Sequence, residues 1–540
     1  MTTPDLLSHD ADVLVLGGGP AATWAAISAA ENGARVVLAD KGYCGTSGAT
    51  AAGGTNLWSI PPHGSARERA VRDGEVAGGR ITDYEWMFRV LETSWEKVEQ
   101  LAQWGYPFPT GPDGRPLRSS LQGPEYMRRM RRKAHRSGVA ILDHHPALEL
   151  LTDADGVVSG AGGIARQNGG RPWQVTAGAV VLATGGTAFL SGTYGTNVNT
   201  GDGLLFGAEV GADLSGMEFA TAYALAPEWG VHTKGRMLQW GSFYDERGEP
   251  ITAPGGRTGR QAAHWALAHG VRVFARLDRV PAEARALMRQ SQPNYFLPLD
   301  KAGIDPFTTA YPIRMVYEGT VRGTGGLRVI DARCATTVPG LYAAGDVATR
   351  ELVAGAVSGG GSRNASWAIT SGTLAGRGAA EFARRLGERP PDRATVGTAR
   401  LGVRDARAAD APTVDDVVAL VQSHILPAQR SYLKSPARLQ ESAAVLESLW
   451  RDLADGLAPV AARDRYKTRQ AVALAAAARW ITAASLARAE TRGLHRREDQ
   501  PREDERFTHR LLVGGLDTVW TAPDPVAPRL LRDELAEASA

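Results

Sequence analysis

The chain has 540 residues, enough for two or three domains with large cores. Its 61 basic and 58 acidic side chains nearly cancel, so no global field points to nucleic acid. Two cysteines, Cys44 and Cys334, fall short of an iron–sulfur cluster, a structural zinc site or a disulfide framework, so no metal site is expected.

In chain order, the polar start Met1–His9 runs into an apolar stretch, Asp12–Leu16, which reads as a parallel strand buried on both faces. Gly17, Gly19 and Ala22 supply a G-x-G-x-x-G/A turn, with Pro20 and Ala21 opening an Ala-rich helix to Asn32. A second apolar strand, Ala34–Ala39, ends at Asp40. Strand, glycine turn, helix, strand and acid in this order predict a dinucleotide site, with pyrophosphate at the helix N-terminus and Asp40 on a ribose hydroxyl. Gly160, Gly162 and Ala165 repeat the spacing, but the Gln167–Gly170 turn that follows belongs to a β-meander with strands at 157–165 and 173–181. One fingerprint favours one tightly held cofactor.

Between these segments, residues 80–105 carry Trp86, Val90, Leu91, Trp95, Val98 and Leu101 at helical spacing. A Pro/Gly-rich connector at 107–124 leads to a helix ending near Gly138, and its basic run Arg128–Arg136 reads as a solvated face. Ala179–Gly186 reads as a further buried strand, 204–211 as a helix, and 213–324 as an inserted cap. Gly340–Ala344 is a last apolar strand ending in Gly345-Asp346, followed by a Gly/Ser loop and a helix from Asn364 to Arg384. After a linker-like stretch, Pro390–Pro412, come helices at 414–424, 437–456 and 464–490 and a short polar tail. No uninterrupted apolar run approaches the ~20 residues of a membrane span, and the chain is expected to be cytoplasmic.

Several segments together resemble the flavoprotein subunits of the fumarate reductase/succinate dehydrogenase family, which also includes aspartate oxidase, ketosteroid dehydrogenase and adenylylsulfate reductase. Asp40-Lys41 leads into the small-residue loop Thr46–Gly54, in which Ser47, Gly48, Ala49, Gly53 and Gly54 stand where the family covers its flavin. Ala183-Thr184-Gly185-Gly186 is similar to its second cofactor turn, Asn197–Gly203 to the segment whose aspartate, here Asp202, contacts the cofactor, and Val338–Asp346 to the strand that presents Asp346. Thr491–Asp504 (TRGLHRREDQPRED) resembles the family's C-terminal signature.

The resemblance implies an α/β chain: a Rossmann-like FAD-binding domain (1–212 and 325–388), an inserted α+β capping domain (213–324), a C-terminal helical domain (400–500) and a tail (501–540). It also implies FAD, with the helix start at Asn364, Ala365 and Ser366 aiming N–H groups at the flavin's N1–C2 edge. No histidine lies between His9 and His63, where the family's covalent-flavin histidine would stand, so the FAD is expected to be non-covalent.

The departures fall where the family binds dicarboxylates. Tyr223 and Val321 stand at its two substrate histidines, and the loop Val357–Ser366 displaces its arginine, leaving Arg363 nearby. The family's proton-donating arginine has Arg236 as its nearest candidate. A dicarboxylate needs several fixed cations and donors, so ordinary succinate and fumarate are not expected as substrates. Expected catalytic residues are Arg236, Tyr223 and Arg363, with Arg314, Tyr317 and Arg322 binding a small organic substrate. The expected activity is hydride transfer at flavin N5, in C–C or C–N dehydrogenation or the reverse reduction of an activated alkene. Two other readings stay open: an electron-transfer subunit resembling the adenylylsulfate reductase flavoprotein, working with a separate iron–sulfur (ferredoxin-like) partner, and a flavin-binding scaffold without catalysis.

Overall fold

The computed structural model describes residues 6–531, apart from 47, 112, 234–235, 255–257, 388–394, 404 and 406–410, and describes Arg236 and Ser291 by their backbone alone. About half of the linker-like stretch 390–412 (390–394, 404 and 406–410) therefore lies outside the described residues.

The strand Leu7–Leu16 sits inside an eight-stranded sheet, parallel to Val36–Ala39 on one side and to Arg171–Leu182 on the other. Its apolar half, Val13–Leu16, is fully buried, as the unbroken run requires of a strand covered on both faces. Arg171–Leu182 is one continuous strand where the sequence suggested a meander strand and a separate nucleotide strand. Its first half pairs antiparallel with Val158–Ala165, and its last residues, Val180–Leu182, pair parallel with Leu341–Ala343 along the same edge. One strand thus serves both the meander and the cofactor sheet.

Two helices cross over this sheet at backbone contact. Pro20–Glu31 packs against Ser362–Arg385 through Gly372 and Gly376, where a Cβ would stand 2.4 Å from the Ala21 carbonyl oxygen and 2.1 Å from that of Ala25. The crossing fixes the N-termini of both helices beside one cavity. The helix Gly123–Arg136 buries Tyr126, Met127 and Met130 and turns its basic run outward, with Arg128 and Arg129 on Glu125 and Arg131 on Asp143.

The cap is a four-stranded antiparallel sheet in the order Ala222–Pro227, Tyr311–Glu318, Val273–Arg276, Ser242–Tyr244, with its own core around Phe243, Val273 and Tyr311. C-terminal to it, Val414–Ile425 and Pro436–Asp452 pack on Arg465–Ala487. That last helix is long and apolar enough to cross a bilayer, but 78% of its apolar window is buried, which makes it a core helix.

The stretch after residue 500 is more than a polar tail. Leu511–Gly514 and Trp520–Pro523 form a hairpin that joins Leu214–Ser215 and Gly326–Leu327 in a four-stranded sheet, burying Leu511, Leu512 and Val513. Short apolar runs in a charged context hid this pairing, because its partners are distant in sequence.

Candidate functional site

A cavity of about 570 Å³ runs from the first glycine turn to the cap. At the nucleotide end, Gly17 adopts φ +122°, and a Cβ on it would lie 2.3 Å from the Ala183 carbonyl oxygen, so the two glycine turns touch. A Cβ on Gly18 would lie 2.1 Å from the Asp40 carboxylate, whereas one on Gly19 would meet no protein atom within 4 Å. Gly19 therefore faces open cavity at the start of the helix Pro20–Glu31, where an anionic group can approach the free N–H groups. Asp40 is buried on the same wall. Lys41 Nζ bonds Asp202 (2.7 Å) and Thr200 (2.8 Å), while Asp346 accepts from Arg350 at 2.6 Å.

Of the residues expected at the cofactor, Gly17, Gly19, Pro20, Ala21, Asp40, Lys41, Gly48, Ala49, Gly54, Ala183, Thr184, Gly185, Asp202, Gly345, Asp346, Asn364 and Ala365 line this cavity. Three do not. Ala22 is fully buried in the helix–sheet contact, as the third position of such a turn requires. The Gly53 carbonyl accepts from Gly123 N–H, and the Ser366 hydroxyl accepts from Trp58 N–H at 3.0 Å on the far side of its helix. Ser47 lies outside the described residues.

The substrate candidates separate more sharply. Tyr223 and Arg322 line the cavity. Arg322 forms an ion pair with Glu318 (Nε to Oε2, 3.2 Å), whose other oxygen accepts from Thr233 at 2.6 Å. Its guanidinium also lies against Gly361, where a Cβ would be 3.0 Å from Nη1. Arg363 instead points away: its guanidinium sits 4.9 Å over the Trp58 ring and against Gly74. The helix begins at Ser362, two residues before the expected start, so Asn364, Ala365 and Ala368 face the cavity and Arg363 does not. Arg314 donates to the Gly230 carbonyl (3.0 Å), and Tyr317 is buried behind Tyr223 with its hydroxyl on the Ala220 carbonyl (3.2 Å). Neither reaches the cavity wall. Arg236 opens the short turn Arg236–Trp240, and its side chain lies outside the described residues.

The cap end also contains residues that the sequence did not single out. Arg260 and His264 are four apart on the cap helix Gly259–Ala268, hence on one face, and both line the cavity with Gln239 from the turn Arg236–Trp240. An Arg-x-x-x-His pair on a short Ala-rich helix was the available signal. The His264 ring nitrogens lie 2.7 Å from the Arg260 carbonyl and 3.3 Å from that of Tyr223. Burial, with Arg496 and Arg260 nearby, pushes the ring down to about 4, so it is neutral at pH 7. The Tyr223 hydroxyl donates to the Leu426 carbonyl, and burial raises it above the usual tyrosine range. Neither group is poised to give up a proton at neutral pH.

Residues 12–227 match the FAD binding domain family and residues 430–525 match the fumarate reductase flavoprotein C-terminal family. L-aspartate oxidase of Streptomyces coelicolor is 26% identical over 93% of this chain and 91% of its own length. Among solved structures, a variant E. coli quinol fumarate reductase superposes with a TM-score of 0.80 at 21% identity, covering 98% of both chains. Adenylylsulfate reductase from Archaeoglobus fulgidus does so with a TM-score of 0.80 at 18% identity, again over 98% of both. At these identities the superpositions establish the fold.

The cavity fits FAD on its own chemistry. Gly19, Gly48 and Gly360 leave space that a side chain would fill. On the same wall, the Oδ1 atoms of Asn199 and Asn364 are buried without a hydrogen-bond partner among the described residues, as acceptors or flipped donors for a bound group. Gly17–Ala21, Asp40 and Asp346 would hold the nucleotide and pyrophosphate, and the start of Ser362–Arg385 would hold the ring.

Proposed function

Because the chain belongs to the fumarate reductase/succinate dehydrogenase flavoprotein family and is an FAD-dependent oxidoreductase, we propose that it acts on a small organic acid other than ordinary succinate or fumarate, with FAD held non-covalently. The observation that carries this reading is one continuous cavity with Gly19 and Asp40 at one end and Arg322 and Arg260 at the other. Val321 and the Tyr223 ring line its cap end, at the positions that resemble the family's substrate histidines. Among the described residues, the one histidine on its wall is His264 of the cap, which supports a non-covalent cofactor.

When bound, FAD supplies hydride acceptance or donation at N5. Arg322, braced by Glu318, would bind and orient a carboxylate of the substrate. The exposed Arg260, where the cap end meets solvent, would hold the proton that accompanies the hydride. Tyr223 would position and not transfer protons, since its hydroxyl is already committed to Leu426. The cap sheet over this end would exclude water. The reaction class is dehydrogenation of a C–C or C–N bond, or reduction of an activated alkene. Cys44 and Cys334 are both buried and unlinked, with the Cys44 thiol pushed up to about 12, which suits a reducing cytoplasm. An iron–sulfur partner, if used, would have to carry the cluster itself.

The test is anaerobic bleaching of the visible flavin absorption against a panel of small acids, amino acids, amines and enones. Bleaching by at least one acid other than succinate supports the reading. Bleaching by none, together with no acceleration of reoxidation of the dithionite-reduced flavin by any unsaturated acid or enone, overturns it.

A further inference from the structure

The C-terminal helical domain completes the wall at the nucleotide end of the cavity. Tyr466, Arg469 and Gln470, from the start of the helix Arg465–Ala487, line the cavity together with Pro146, Ala147 and Phe206. A chain of contacts fixes these residues beside Asp40. His145 N–H donates to the Asp40 carbonyl at 2.8 Å, which sets Pro146 and Ala147 directly beyond that acid. Arg469 donates through Nε to the next carbonyl, that of Leu148, at 2.8 Å. Its guanidinium lies 5.7 Å over the Phe206 ring, one helical turn on from Asp202, which holds Lys41. Arg166 in turn donates to the Lys41 carbonyl at 3.3 Å and stands 4.3 Å over the Tyr466 ring.

The three side chains of the helix are left in different states. Arg469 is buried and fully engaged, with Leu148, Leu401 and Glu209 as its acceptors, so it anchors the helix to the sheet. Tyr466 presents a ring already held by Arg166. Gln470, one turn further and hence on the same face, is half-buried, and no hydrogen bond among the described residues engages its amide. The two cations of this end, Lys41 and Arg469, are each paired with a carboxylate. The slot therefore suits a neutral, flat group better than a second phosphate. Aromatic rings offer it faces to stack on, and a primary amide matches the adjacent donor and acceptor on the edge of adenine.

We propose that Tyr466 and Gln470 bind the adenine ring of FAD, so that the C-terminal domain supplies part of the cofactor site. The cofactor would then tie the start of the helix Arg465–Ala487 to the nucleotide-binding sheet through its adenosine half. FMN, which lacks that half, can use neither residue. The inference concerns the cofactor alone and holds whatever substrate the cap end takes.

The experiment titrates the full-length protein, freed of flavin, with FAD and with FMN, following flavin fluorescence. Gln470→Leu and Tyr466→Ala should each weaken FAD roughly tenfold, the scale of one lost base contact, and leave FMN within about twofold of native. Tyr466→Phe keeps the ring and should bind FAD as the native protein does. Amide hydrogen exchange gives a second readout that needs no variant. FAD should slow exchange across residues 465–473, and saturating FMN should not. FAD affinity within about twofold of native in both Gln470→Leu and Tyr466→Ala overturns the proposal. So does an equal loss of FAD and FMN, which marks general damage, or exchange across 465–473 that FAD leaves unchanged. Should Tyr466→Ala fail to fold, Gln470→Leu and the exchange measurement decide the matter.

Discussion

The Tyr223 hydroxyl donates a 2.9 Å hydrogen bond to the Leu426 carbonyl, tying the first strand of the cap to the C-terminal helical domain. The phenol therefore braces two domains over the cavity instead of acting as an acid. Tyr223→Phe should lower stability by about 1 kcal/mol, the usual net value of such a bond. It should change the rate of flavin reduction by less than about threefold, where loss of a general acid would cost about a hundredfold or more. Thermal unfolding followed by flavin fluorescence, with rapid anaerobic reduction by any substrate that bleaches the protein, separates the two roles.

Gly17 and Gly19 should respond differently to the same added methyl group. Gly17→Ala places its Cβ against the Ala183 carbonyl at a φ that side chains disfavour, so both the flavin-free fold and FAD binding should suffer. Gly19→Ala meets no protein atom and should leave the flavin-free protein within about 0.5 kcal/mol of the native stability. It should nonetheless weaken FAD binding about tenfold or more, because the methyl fills space that the pyrophosphate needs. Urea unfolding of the apoprotein and FAD titration distinguish the cases.

Glu318 is nearly fully buried, with Arg322 on one of its oxygens and Thr233 on the other. Arg322→Gln should cost about 1–3 kcal/mol by leaving that carboxylate without its cation. Adding Glu318→Gln to it should recover part of the loss in unfolding measurements. If Arg322 also binds substrate, the double variant should remain defective in ligand binding while its stability returns.

Glu351 lies beside Glu218, and burial with this like charge raises its carboxyl from 4.5 to about 8. Its Oε2 accepts from Ser215 and Thr349, whereas Glu218 Oε1 accepts from Arg488 (2.6 Å). The folded state thus keeps a proton that the unfolded chain releases above pH 4.5. The stabilisation is fully present below that value and is lost as pH rises through 8. Glu351→Gln mimics the protonated form. Its unfolding temperature should match the native protein's near pH 5, exceed it near pH 8, and vary less with pH between them.

The cofactor residues were legible because their contacts are made by backbone within short contiguous segments. A glycine turn between a strand and a helix has one geometry, and Asp40 closes it about twenty residues on. The meander was legible from its turn, but the single strand Arg171–Leu182 was not, since nothing local marks the change of partner from Val158–Ala165 to Leu341–Ala343. Arg363 shows a different limit. One residue of helical phase is about 100°, so misplacing the helix start by two residues turned its guanidinium towards Trp58 instead of the cavity.

The sequence by itself determined the nucleotide-binding unit and pointed to the FAD family, because each is written in consecutive residues. Tertiary structure alone decided which cations reach the cap end of the cavity. Arg260 and His264 from the cap helix and Arg322 beside Glu318 come from segments far apart in the chain. Each looks like an ordinary surface or core residue in isolation. They meet because the cap sheet and the glycine-packed helix Ser362–Arg385 bring them to one cavity wall.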